Sequence, residues 1–189
     1  MRSNLEIFDR EISAQLEQLF YKPDLRRDVQ FVFRVNSVSK KEKEVKFLIS
    51  VIKKTAEKNK IWASFSDLAA SNDSVFNAFI IDIISLGVKY PGFANNKFLG
   101  TKIVHRQLTA VIRVEAAGVN YFYNNTDSIL INYKDRVDYN DIEDIETEDY
   151  NFTRASHPHA SVWEEIVFPA AIIIVSVAAA VLFFTIRSK

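Results

Sequence analysis

The sequence predicts an α+β fold: one small domain with a mixed β-sheet of roughly four to six strands and one or two covering helices, followed by a C-terminal transmembrane helix. Three observations point there. Several stretches after residue 28 alternate apolar and polar side chains, as half-buried strands do. Two stretches, 5–20 and 45–58, repeat their apolar residues at helical spacing instead. Residues 166–186 carry no charge at all. The organisation that follows is a soluble domain over 1–150, a juxtamembrane linker over 151–165, a transmembrane helix over 166–186 and a basic tail over 187–189.

The N-terminal helix is expected over 4–20. Leu5, Phe8, Ile12, Leu16 and Leu19 or Phe20 make its apolar stripe, Asn4 is the expected cap, and Lys22-Pro23-Asp24 ends it. In 29–38, Val29, Phe31, Phe33 and Val35 alternate with more polar neighbours, which predicts a strand. A charged turn holds Lys40, Lys41 and Lys43 with Glu42 and Glu44. The second helix follows, with Val45, Leu48, Val51, Ile52 and Ala56 inward and Lys53, Lys54, Glu57 and Lys58 outward. A short strand over 61–65 completes a β-α-β unit whose two strands should run parallel.

Residues 66–74 read as a polar turn. The stretch 75–90 is ambiguous: Val75, Phe79, Ile80, Ile83 and Ile84 fit helical spacing, while its isoleucines and aromatics favour a strand, and strand is the expectation. A loop over 91–100 precedes a strand over 102–116, with Leu108, Ala110, Ile112 and Val114 on one face. Ala117-Gly118 turns the chain into a hairpin partner over 119–123. Residues 124–127 turn again, and 129–133 form a last short strand. Residues 135–149 are acidic and turn-rich, and 151–161 read as a polar linker.

The membrane expectation rests on length and flanks. A helix of 21 residues rises about 31 Å, close to the roughly 30 Å hydrocarbon core of a bilayer. Ser176 and Thr185 are its only polar side chains, and each hydroxyl can bond a carbonyl one turn back. Trp163 precedes the run as an interfacial indole would, Ile166 opens it, and Pro169 sits where a missing N–H does least harm. Phe183 and Phe184 lie near the far end, and Arg187 and Lys189 can snorkel to headgroups. Small residues at Ala171, Ser176 and 178–180 offer a helix-pairing face.

Orientation has two opposed indications. The first 20 residues are interrupted by Glu6, Asp9, Arg10 and Glu11 and do not read as a signal peptide. With Met1 as the native start, the domain is expected in the cytoplasm on a tail anchor. Glu164 and Glu165 before the span, against Arg187 and Lys189 after it, favour the opposite side.

Composition excludes several classes. With 48 % apolar and 25 % charged residues, the chain is not a disordered tail. Having no cysteine, it has no thiol nucleophile, disulfide or thiolate metal site. The 24 basic and 24 acidic side chains balance, so no nucleic-acid footprint stands out. There is no G-x-S-x-G elbow, Walker loop or G-x-G-x-x-G, and four glycines leave little for a phosphate cradle. No catalytic residue, metal ligand or cofactor is nominated, and the chain is not expected to be an enzyme.

The remaining candidates are surfaces. Tyr121 and Tyr123 fall on one face of an expected strand and form a candidate contact surface. The acidic stretch together with His157 and His159 frames an alternative, a membrane-bound metal-dependent hydrolase. The lysines at 40–46 frame another, a module binding lipid headgroups or envelope polymers. His105 reads as structural. Sequons at Asn72, Asn124 and Asn151 matter only in a eukaryotic secretory setting. The expected role is a membrane-anchored interaction and assembly module. Its partners would be the bilayer and another membrane or membrane-associated protein, or a second copy.

The C-terminal end, Trp163-Glu164-Glu165 through Phe183-Phe184-Thr185-Ile186-Arg187-Ser188, resembles the closing anchor of a group of uncharacterised bacterial membrane proteins. Gly87-Val88-Lys89-Tyr90 followed by residues 100–106 is similar in arrangement to that group as well. The resemblance covers the second half of the chain. It implies a small α/β domain before one C-terminal span, a bacterial envelope location, and strand rather than helix over 75–90. The group usually has an acidic residue before the proline, where this chain has Phe168. No activity comes with it.

Overall fold

The computed structural model describes residues 1–22, 28, 30–39, 41–66, 76–95, 101–117, 125–159 and 167–187. The fold is α+β, with a five-stranded mixed sheet. Helix α1 spans Asn4–Phe20, and its buried face is Ile7, Phe8, Ile12, Leu16, Leu19 and Phe20. Its cap is Ser3, not the expected Asn4. The Ser3 hydroxyl accepts from the Glu6 N–H at 3.2 Å and the Glu6 carboxylate accepts from the Ser3 N–H at 3.0 Å. These reciprocal bonds satisfy two amide donors at the helix start.

Strand β1 (Gln30–Ser37), helix α2 (Glu42–Lys58) and strand β2 (Ala63–Phe65) form the expected β-α-β unit, with β1 and β2 parallel. Of the lysines expected in a charged turn over 40–46, Lys40 lies outside the described residues. Lys41 is the N-cap position of α2 and donates to the Glu44 carboxylate at 3.0 Å, while Lys46 lies 3.9 Å from Glu42. Glu44 is buried, and the Ser37 hydroxyl also donates to it.

Strand β3 (Phe76–Asn95) is the strand expected over 75–90, but it runs on through Pro91 and Gly92, where a loop was expected. It lies parallel to β1 and antiparallel to β4 (Ile103–Ala117), which pairs antiparallel with β5 (Asn125–Asp138). The order is β2-β1-β3-β4-β5. Irregularities in the β3–β4 ladder between Ile83 and Ser85, and between Lys89 and Gly92, explain both surprises. Buried positions run Phe79, Ile81, Ile83 and then Leu86, Val88, Tyr90, because the extra residue shifts the alternation by one. That shift mimics helical spacing in the sequence. The second irregularity admits Pro91, which cannot donate to a regular ladder, and Gly92, whose φ of 155° suits only glycine.

The expected hairpin partner over 119–123 lies outside the described residues. The neighbour of β4 is β5, one strand of 14 residues that absorbs the expected turn at 125–127 and the short strand over 129–133.

Helices α1 and α2 cover one face of the sheet. Phe31 and Phe33 on β1 stack on Phe79 of β3 with centroids 5.6 and 5.3 Å apart, and Phe20 of α1 meets Phe31 and Phe33 edge-on. The core extends beyond residue 150. A 3-10 turn (Tyr139–Asp141), the short helix α3 (Ile142–Ile145) and a second 3-10 turn (Asn151–Thr153) fold back on the domain. Phe152 packs between Phe8 and Phe47, at 5.6 and 5.1 Å. The stretch expected as the start of a polar linker is thus anchored by a buried aromatic ring.

Helix α4 spans Phe168–Arg187. Within it, side chains are described from Pro169 to Thr185, 17 positions or about 26 Å of helix, and all of them are exposed. Among the described residues no helix is long and apolar enough to cross a membrane, so the transmembrane helix expected over 166–186 is not a feature of the described fold. No described side chain of α4 belongs to the core.

Substituting Ser3→Ala removes one half of the capping box. The chemical-denaturation midpoint should fall by the equivalent of about 1 kcal/mol, with an unchanged slope.

Candidate functional site

Two features stand out: a buried polar network at one end of the domain, and the face of the sheet that no described helix covers. The network centres on Arg106. In β4 the inward positions are Val104, Arg106, Leu108, Ala110, Ile112 and Val114, so strand alternation drives a guanidinium into the core, where it is only 2 % exposed. Directly across the ladder, Asp135 of β5 occupies the same inward phase. Arg106 Nε and Nη2 donate to the two Asp135 carboxylate oxygens at 2.8 and 2.5 Å, a two-pronged pairing that matches fork to carboxylate. The third nitrogen, Nη1, donates to the Asn4 side-chain oxygen at 2.9 Å and to the Arg2 carbonyl at 3.1 Å.

Asn4 carries the network onward. Its Nδ2 donates to the Tyr90 hydroxyl at 3.0 Å and to the Thr153 carbonyl at 2.8 Å. This fully buried amide therefore joins α1, β3, β4 and the last 3-10 turn. Burial pushes the Tyr90 phenol up to about 12; the Asn4 bond opposes that shift and the nearby Glu146 carboxylate adds to it.

Glu146 borders a cleft of about 360 Å³ lined by Glu143, Glu146, Glu148, Arg154, Ala155 and His157. Its carboxylate accepts from the Ala155 N–H at 3.0 Å and lies 3.6 Å from His157 Nε2 and 3.9 Å from Arg154 Nε. The His157 ring stands edge-on to Tyr90 and Tyr139 at 6.0 and 6.4 Å. His157 is therefore part of the domain surface rather than a free linker, while His159 is exposed.

The acidic stretch does not converge. Asp135 is held by Arg106, and Asp138 accepts from the Asn140 N–H in the first 3-10 turn. Among the described residues no three histidine or carboxylate side chains lie close enough to hold a metal ion. The metal-dependent alternative built on His157, His159 and this stretch gains no support.

The uncovered face carries the outward positions of β1, β3, β4 and β5. Its most exposed large apolar members are Ile84, Val111 and Leu130; Val111 pairs with Leu130, and Ile84 sits at the irregularity next to Ser85, the β3 partner of Val111. His105, read as structural from sequence, projects from this face and is exposed. Tyr121 and Tyr123, the candidate contact surface, lie outside the described residues, as do Trp163, Ile166 and Lys189. Pro169, Phe183 and Phe184 are exposed on α4; Arg187 closes that helix. Arg106 and Tyr90 carry no expected site role from sequence, Asn4 is expected only as a helix cap, and Glu146 only as part of the acidic stretch. A charged residue in the inward phase of an alternating strand was the available signal for Arg106 and Asp135.

No family model matches the chain, and no curated protein matches it. Among solved structures it is similar to a protein described as a neuraminyllactose-binding hemagglutinin homolog from Helicobacter pylori. The identity is 10 %, over 64 % of this chain and 74 % of that one, with a TM-score of 0.37. A likeness that weak transfers nothing.

Two outcomes follow from the network. Arg106→Ala leaves the partly buried Asp135 carboxylate and the buried Asn4 side-chain oxygen without their donor and should cost about 2–3 kcal/mol in chemical denaturation; Arg106→Lys should not restore it, because an ammonium cannot make the forked pairing. The Tyr90 phenol binds its proton more tightly folded than unfolded. Its contribution is fully present below about pH 10 and is lost as pH rises towards about 12. Stability should fall across that window in the wild type, and Tyr90→Phe should flatten the fall.

Proposed function

We propose that this chain is a membrane-anchored, non-enzymatic interaction module, in which α4 holds the α+β domain at a bilayer surface. The observation that carries this is α4 itself. From Phe168 to Ile186 it has no charged residue, and its described side chains are all exposed, including Ile172, Ile173, Ile174, Val175, Val177, Val181, Leu182, Phe183 and Phe184. An apolar surface of that extent has no place in water unless something covers it. The two hydroxyls support lipid as the cover. Ser176 donates to the Ile172 carbonyl at 2.8 Å and Thr185 to the Val181 carbonyl at 2.7 Å, so neither needs water. With Ile166 and Val167 the uncharged run reaches the length of a hydrocarbon core.

The mechanism is localisation: anchoring confines the domain to a thin layer and raises its effective concentration towards other membrane components. The resemblance of the C-terminal end to anchors of bacterial membrane proteins favours an envelope location.

The test is fractionation of the full chain. It should sediment with membranes, resist alkaline carbonate and be released by detergent. Ile174→Lys together with Val177→Lys, at about 3 kcal/mol each near the centre of a span, should move it to the carbonate supernatant with the domain still folded. A wild-type chain that is monomeric in the detergent-free supernatant would refute the proposal.

A further inference from the structure

We propose that the uncovered sheet face carries a second, electrostatic membrane contact, a basic patch of Lys89, Lys134 and Arg136 with His105, that docks on an anionic headgroup layer. This rests on the anchor reading above and names the surface the anchored domain turns to the bilayer.

The ladder brings these residues together from three strands. Lys89 pairs with Gln107, which pairs with Lys134; two rows on in the β4–β5 ladder, and so on the same face, His105 pairs with Arg136. All four basic side chains are exposed, on the face opposite the buried Val88, Tyr90, Val104, Arg106 and Val137. None of the four has an ion-pair partner among the described residues. Asp135, between Lys134 and Arg136, points to the opposite face and is held by Arg106; the nearest acid in the outward phase of that ladder is Asp138, whose carboxylate accepts from the Asn140 N–H in the 3-10 turn.

The rest of the same face is balanced. Asp82 stands opposite Arg113 and accepts from Asn36 at 3.0 Å, and Arg34 and Glu115 flank Ile80 from either side. Like charges clustered across strands cost stability, and this chain has as many acids as bases. Segregating the three cations Lys89, Lys134 and Arg136 with no counter-ion among the described residues therefore calls for an external anion. Lysines on an edge strand can serve only to deter edge pairing, but Lys89 and His105 lie on β3 and β4, which are interior strands.

Position identifies the occupant. Lys89 is the sequence neighbour of Tyr90, against which His157 packs. The chain leaves the domain at this end of the sheet, and α4 begins at Phe168. The nine steps from His159 to Phe168 reach at most about 32 Å. The patch thus sits on the end of the domain tethered closest to the bilayer. The 40–46 lysines are a poorer candidate, since Lys41 and Lys46 are paired to Glu44 and Glu42.

The absence of cysteine permits a clean probe. The full chain carrying Asn132→Cys, labelled with a dye beside the patch, is reconstituted in vesicles of phosphatidylcholine alone or mixed with phosphatidylserine, with a headgroup-labelled quencher. Quenching should be stronger in the anionic vesicles and should vanish near 1 M salt, where the screening length falls to about 3 Å. Each basic side chain near such a surface is worth roughly fivefold, so Lys89→Glu, Lys134→Glu and Arg136→Glu together should abolish the difference. Lys43→Glu should leave it intact. Equal quenching in both vesicles, or no effect of the triple variant, overturns the docking while carbonate-resistant insertion leaves the anchor standing. Release by inorganic phosphate beyond a chloride control of equal ionic strength also overturns it, reassigning the patch to a soluble anion. Should carbonate extract the chain, the anchor fails, and salt-reversible binding to added anionic vesicles still decides the patch.

Discussion

The domain turns on one buried ion pair. Arg106 and Asp135 face each other across the two outermost strands of the antiparallel half of the sheet, and Arg106 is withdrawn almost entirely from water. A buried guanidinium is tolerable only when its donors are matched. Here they are matched by Asp135, Asn4 and the Arg2 carbonyl, which come from the far strand and the N-terminal segment. The polar requirement of one side chain thus decides where α1 begins. It also explains why Asn4, a plausible helix cap by type, is used instead as a bridge, leaving Ser3 and Glu6 to cap.

From that joint the remaining packing follows. With α1 fixed at its start, Phe8, Ile12, Leu16 and Phe20 lie along the covered face of the sheet, and α2 occupies the space beside them. The chain after β5 closes the same end, through Asn4 on the Thr153 carbonyl and Phe152 between Phe8 and Phe47. Hydrophobic burial supplies most of the stabilisation there, while the polar network sets which elements meet. No described helix covers the opposite face of the sheet, and its charges separate into a balanced half and a basic half.

Much of this was legible in the residues. Periodicity located α1, α2 and the β-α-β unit, since α1, α2 and β4 each keep one face dry along their length and β1 buries Phe31 and Phe33. Strand rather than helix over 75–90 was also legible from side-chain type, although an irregularity at Ile83–Ser85 disguised its alternation. The length of β3 and β5 was not. Pro91 and the polar run at 125–127 look like breakers, and only an irregular ladder or an edge position lets a strand continue through them. Net charge was uninformative in the same way: a sum of zero is compatible with a local excess that only the cross-strand register reveals.

By itself the sequence determined which segments bury a face, that no thiol chemistry is available, and that an uncharged apolar run lies near the C-terminus, because these depend on side-chain type and local spacing. Only the tertiary structure decided that β4 pairs with β5, that Arg106 meets Asp135 and Asn4, that Phe152 belongs to the core, and that Lys89, His105, Lys134 and Arg136 share one patch. Those outcomes join residues distant in the chain. The free energy of such pairings depends on which other groups are left to satisfy, and no local pattern encodes that.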